Sequence, residues 1–167
     1  MVPAEITSEY ECVCFHMTDL PYGRGGSPLQ NLISRRHKDT MLTALRMVDE
    51  LDAGPVYLKS PLSCEGSAQN IYERTAALVY DMIEFFVSNE PEPTPQKGEP
   101  VFFKRRHPSE SSIPTEGPIS HLFDHIRMLD ADTYPRAFLE YGAWRIEFSK
   151  VRNASGKIIA EVEISSK

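Results

Sequence analysis

Residues 11–28, ECVCFHMTDLPYGRGGSP, decide how this chain is read. A short apolar strand over 11–16 ends in His16, and a loop over 17–26 follows, carrying Pro21, Gly23, Gly25 and Gly26. Side chains alternate along a strand, so Cys12, Cys14 and His16 share one face while Val13 and Phe15 share the other. A polar side chain at the C-terminal end of a buried strand, facing a backbone-rich loop, marks the ligand crevice of an open α/β sheet. Ser27 is placed to cap a helix whose first turn holds Pro28, where the missing N–H is harmless. That helix runs to about Arg35, and the basic run Arg35–Lys38 suits the negative end of its dipole.

Outward from this stretch, residues 41–48 and 55–62 read as a second and a third strand. Between them lies a carboxylate-rich turn, Asp49-Glu50-Leu51-Asp52-Ala53-Gly54. Ile71, Thr75, Leu78, Met82, Ile83 and Phe86 recur at helical spacing, which predicts a helix over 66–89 stopped by Pro91. A short strand is expected at 101–103 and a helix over 119–129. Alternation over 144–148 and 157–164, around Asn153–Gly156, predicts a β-hairpin. Residues 1–10 read as a lead-in, with Pro3 discouraging helix at Val2. The expected class is α/β: one sheet unit over 1–92, a Pro-rich connector over 93–117, and a helix plus hairpin extension over 118–167.

The chain has 167 residues, 41% apolar and 25% charged, which is enough for one compact core. A net charge of -6 argues against general nucleic-acid binding, which needs a surplus of Lys and Arg. One basic cluster, Lys104–His107, could hold a phosphate or be a solvated run. No apolar run reaches bilayer length and no signal segment opens the chain. Three cysteines do not form a disulfide framework, so a cytoplasmic setting is expected.

His16 reads either as a hydrogen-bonded structural residue or as a proton-exchanging one. Asp52 offers it a carboxylate from a second Gly-containing turn, a pairing suited to general acid–base work. Cys12, Cys14 and His16 carry the soft ligands zinc takes, but no second Cys/His pair completes the set, and core packing is the preferred role. His121 and His125, with Asp124, share a helical face, but Leu122 stands where a zinc-protease helix has Glu. Gly23-Arg24-Gly25-Gly26 matches neither the P-loop nor the dinucleotide fingerprint and indicates a tight loop.

The segment His16-Met17-Thr18-Asp19-Leu20-Pro21-Tyr22-Gly23-Arg24-Gly25-Gly26-Ser27-Pro28 resembles the H-P-S-L-L-P-x-Y-R-G-x-x-P motif of the 10-formyltetrahydrofolate-dependent formyltransferases. That family includes methionyl-tRNA, glycinamide ribonucleotide and nucleotide-sugar formyltransferases. Thr43, Met47 and Leu51-Asp52-Ala53-Gly54 resemble its G-V-T-x-x-x-M-x-x-x-L-D-x-G segment. Arg105-Arg106, Pro108, Ser111, Ile126–Leu129 and Tyr134–Phe138 resemble the region after its catalytic core.

The resemblance implies an incomplete, Rossmann-like open sheet of formyltransferase type with a small C-terminal hairpin. It implies attack of a primary amine on the formyl carbon of 10-formyltetrahydrofolate. His16 would stabilise the oxyanion, and Asp52 would orient the histidine and help remove the amine proton. Contacts to the folate fall on Met47, Asp49 and Leu51, and contacts to the acceptor on Pro21, Arg24 and Gly25.

Three departures stand beside the likeness. Cys14 replaces the family's asparagine, and a thiol is a weak donor. Met41 replaces a glycine. Ten residues precede Glu11, where the family places a βαβαβ half of roughly sixty residues or more. The strand at 12–15 is therefore expected to lack a neighbour, which predicts self-association or pairing with a polypeptide carrying the N-terminal half. The short tail and negative charge point to a small amine, an amino-sugar nucleotide ahead of methionyl-tRNA. The alternative is an inactive, truncated formyltransferase-like module or gene remnant.

Overall fold

The computed structural model describes residues 2–132 and 134–167. Its elements are α1 (Ala4–Glu9), β1 (Val13–His16), β2 (Tyr22–Gly25), α2 (Pro28–Ser34), β3 (Asp39–Arg46), β4 (Val56–Ser63) and α3 (Ala68–Asn89). After them come β5 (Val101–Phe103), a 3-10 turn at Pro108–Ser111, α4 (Ile119–Arg127), β6 (Ala137–Tyr141), β7 (Trp144–Ala154) and β8 (Lys157–Ser166).

β1, β3 and β4 form an antiparallel sheet in that order, with His16 opposite Thr43. β1 is its edge strand, as expected of a strand without its neighbour. Alternation places its side chains as predicted. Val13 and Phe15 pack on the core, while Cys14 lines a cavity on the other face. The core joins Leu29 and Ile33 of α2, Leu42 and Ala44 of β3, and Ile71 and Met82 of α3 to Ile126, Leu129 and Ala137.

α3 forms where its period predicts. The Ser67 hydroxyl accepts from the Asn70 N–H while Asn70 reaches back to Ser67, a capping box. Its far face differs from expectation, because Ile83 is 45% exposed alongside Tyr80 at 74% and Val87 at 78%.

Four further differences have physical causes. The lead-in contains α1, because Pro3 sits just before the helix, where its carbonyl accepts from Ile6 and Thr7. The loop over 17–26 contains β2, which pairs parallel with β5. Glycine permits this approach, since a Cβ at Gly25 would lie 2.4 Å from the Phe103 carbonyl oxygen. Ser27 does not cap α2; it adopts φ 48 and its hydroxyl accepts from the Arg106 N–H instead. The hairpin is extended by β6 into a three-stranded antiparallel sheet.

Candidate active site

His16 ends β1 and is 8% exposed. Its Nε2 lies 2.8 Å from the Gly23 carbonyl oxygen. A carbonyl only accepts, so Nε2 carries a proton, and Nδ1 faces the other side. There Asp52 Oδ2 stands 3.7 Å from Nδ1. That spacing is too long for a direct hydrogen bond and close enough for charge to be felt. Thr43, opposite His16, donates to the Thr18 carbonyl at 2.6 Å and ties the strand exit down.

Asp52 is held from three sides. Its Oδ2 accepts from the Gly25 N–H at 2.7 Å. The residue adopts φ 54, a left-handed conformation that its turn must over-determine. Gly54 makes this turn possible, because a Cβ there would stand 1.8 Å from the Arg46 carbonyl oxygen. Gln96 then clamps the turn, its Nε2 donating to the Asp52 carbonyl at 2.7 Å and the Gly54 carbonyl at 2.8 Å.

The sequence reading missed Gln96. It lies in the Pro-rich connector and carries no motif; only contact with the 52–54 turn reveals it. Its Oε1 accepts from Arg24 Nε at 3.2 Å and Nη2 at 2.9 Å, and Arg24 also reaches Glu50 at 3.1 Å.

Beside the pair lies a cavity of about 370 Å³, within the usual range for small-molecule sites. Met47, Asp49, Leu51 and Asp52 all line it, with Leu45 and Val48 adding aliphatic wall and Cys14 entering from β1. Burial, and then the Asp52 carboxylate, push the Cys14 thiol up to about 11, so at neutral pH it is an uncharged S–H. Pro3, Ala4 and Thr7 of the α1 region form the far side.

The acceptor-side residues named from the sequence are placed differently from one another. Gly25 reaches the site through its N–H to Asp52. Arg24 braces the Asp52 turn through Gln96 and Glu50, and Pro21 serves the β5 junction by accepting from the Val101 N–H. Two members of the His121/Asp124/His125 set have other partners. Asp124 is paired with Arg127 at 2.7 Å, and His125 donates to the Ser111 carbonyl at 3.3 Å.

Residues 108–165 match the family model described as methionyl-tRNA formyltransferase, C-terminal domain. Methionyl-tRNA formyltransferase of Streptococcus agalactiae serotype III is 26% identical over 160 residues, covering 90% of this chain and 51% of that protein. The structure of methionyl-tRNA formyltransferase from Clostridium thermocellum superposes with a TM-score of 0.98 at 44% identity, covering 100% of this chain and 74% of that one. WlaRD, a sugar 3N-formyl transferase solved in the presence of dTDP and 5-N-formyl-THF, shares the fold with a TM-score of 0.63 at 14% identity, covering 90% and 64%.

At 44% identity over 74% of the Clostridium enzyme, the likeness defines the class: the chain belongs to the formyltransferase family. Within that family, the Streptococcus and Clostridium relatives and the C-terminal domain model are of the methionyl-tRNA type. The chain spans about half the length of the curated relatives it matches. The preference for an amino-sugar nucleotide rested on the negative charge and, chiefly, on a tail too short for a tRNA enzyme. The match over 108–165 removes that ground. Among the described residues, no helix is long and apolar enough to cross a membrane.

Proposed function

We propose that this chain carries the transfer centre of an enzyme that moves a formyl group from 10-formyltetrahydrofolate to a primary amine. The aminoacyl end of methionyl-tRNA is the acceptor best supported by the relatives. The observation that carries the reading is that Asp52, 3.7 Å from His16, stands on the wall of the cavity that Met47, Asp49 and Leu51 also line. Aliphatic walls from Leu45, Val48 and Leu51 suit a flat heteroaromatic ring, and these residues with Met47 and Asp49 would hold the folate. Bound there, the folate supplies an activated formyl group.

An amine attacks only when neutral and must then lose a proton. Asp52, fixed by the Gly25 N–H, is the carboxylate placed to accept it. His16 cannot flip to offer Nε2, because the Gly23 carbonyl holds that proton. It works through Nδ1: the proton that Asp52 takes from the amine passes to it, and the imidazolium paired with Asp52 lends positive charge to the developing oxyanion. The same proton then goes to the folate nitrogen as its bond to the formyl carbon breaks. A polypeptide carrying the N-terminal half would pair on the free edge of β1.

The test is formyl transfer to methionyl-tRNA, and in parallel to an amino-sugar nucleotide, by the chain and by His16→Ala and Asp52→Asn. Each variant is expected to lose roughly 10²- to 10⁴-fold in rate with an unchanged urea midpoint. Wild-type turnover in either variant overturns the assignment. A second reading, an inactive formyltransferase-like module, is favoured by Cys14, whose neutral thiol stands in place of an amide donor. It predicts no turnover from any version of the chain.

A further inference from the structure

A second cavity, of about 330 Å³, lies on the other side of the 25–28 loop from the His16–Asp52 pair. Met17, the residue after His16, lines it, together with Ser27, Tyr72, Arg105, Arg106 and Tyr134. Its polar groups are arranged as donors. Arg106 Nε is buried without a hydrogen-bond partner, while its Nη2 is anchored on the Glu110 carbonyl. Tyr72 Oη already accepts from Gln30 Nε2 at 3.0 Å, which leaves its O–H proton free to donate. Ser27 Oγ accepts from the Arg106 N–H at 3.0 Å and from Tyr134 Oη at 3.4 Å, so its own proton is likewise free.

Among the described residues no Asp or Glu lines this cavity, and Glu110, the nearest in sequence, has its carboxylate on the His107 N–H. A buried guanidinium N–H and two hydroxyl protons with no acceptor to take them call for a group that only accepts. With Arg105 and Arg106 supplying charge, that group is an anion with several oxygens.

We propose that this cavity is a phosphate subsite, which holds a phosphate of the acceptor while its amine reaches His16 and Asp52. Its service to the acceptor rests on the formyl-transfer reading; its affinity for phosphate does not. One loop joins the two places, since Gly25 donates to Asp52 and Ser27 receives the Arg106 N–H. The chemistry is common to the diphosphate of a sugar nucleotide and the phosphodiester of an RNA end.

The test is calorimetric titration of the whole chain with inorganic pyrophosphate, a nucleoside diphosphate and a short single-stranded RNA. Wild-type chain is expected to bind pyrophosphate saturably, and more weakly as salt rises. Arg106→Gln is expected to weaken it roughly 10- to 100-fold, with Lys150→Ala, on β7, unchanged. Should Arg106→Gln fail to fold, Tyr72→Phe is read in its place, with a loss of roughly tenfold. Tighter binding of the nucleoside diphosphate or of the RNA, again lost in Arg106→Gln, supports the subsite and names its source. Failure of pyrophosphate to bind, or equal affinity in a folded Arg106→Gln, overturns it. Phosphate binding through Arg106 without formyl transfer keeps the subsite and defeats the proposed function. Transfer with an unchanged acceptor KM in Arg106→Gln defeats the subsite alone.

Discussion

The two cavities on either side of the 23–28 loop have opposite chemistry. The one beside Asp52 is walled by aliphatic side chains and edged by carboxylates; the one beside Arg106 is cationic and offers protons. They also differ in construction. The first abuts the bare edge of β1 and takes its far side from the α1 region. The second is lined by residues of α2, Tyr72 of α3, the 105–108 stretch and Tyr134. One glycine-rich loop touches both places, through the Gly25 backbone N–H on the Asp52 side and the Ser27 hydroxyl on the Arg106 side.

The largest effect expected on this contrast is the loss of transfer in His16→Ala or Asp52→Asn, which strikes the pair between the cavities. Next is Gly54→Ala. The new methyl group meets the Arg46 carbonyl, which belongs to backbone and cannot swing away. Urea denaturation should show a loss of about 2–4 kcal/mol, and transfer should fall as Asp52 shifts.

Cys14→Asn sharpens the comparison from the other direction. An amide restores a strong donor at the aliphatic cavity, so transfer should rise about tenfold or more, with phosphate binding at Arg106 unaltered. An unchanged rate, measured at saturating folate, would remove Cys14 from the account of activity.

The smallest effect is in alkaline stability. Burial pushes both the Cys14 and the Cys64 thiols up to about 11 from an ordinary value of 9.0. Between those values the unfolded chain releases protons that the folded chain keeps. Their contribution is therefore whole below pH 9 and lost as pH rises through 11, with a slope of at most about 1.4 kcal/mol per pH unit per thiol. Cys14→Ser with Cys64→Ala should flatten that fall in pH-dependent denaturation.

Elements with a strong local period were legible: α3, β3, β4 and the faces of β1 all fall where alternation or helical spacing puts them. The pairing of His16 with Asp52 was readable as a strand-end histidine and a turn carboxylate, and the motif likeness assigned the two their roles. β2 was not legible, since Tyr-Gly-Arg-Gly is poor strand sequence and forms only because Phe103 accepts it from across the chain. Ser27 shows the same effect on a single side chain. Its type and position suit a cap, but a backbone N–H from Arg106 took the hydroxyl first.

Residue order alone indicated the strongly periodic elements, α3, β3 and β4, which face of β1 is polar, and that a histidine ends its strand while an aspartate sits in a turn. Such properties depend on neighbours a few residues away, and so survive without a fold. Only the packed molecule decided that Gln96 clamps the Asp52 turn, that the Nε2 of His16 meets a carbonyl, and that Arg106, Tyr72 and Ser27 line one cavity. These groups come from distant parts of the chain, and their meeting is fixed by the burial of the side chains between them.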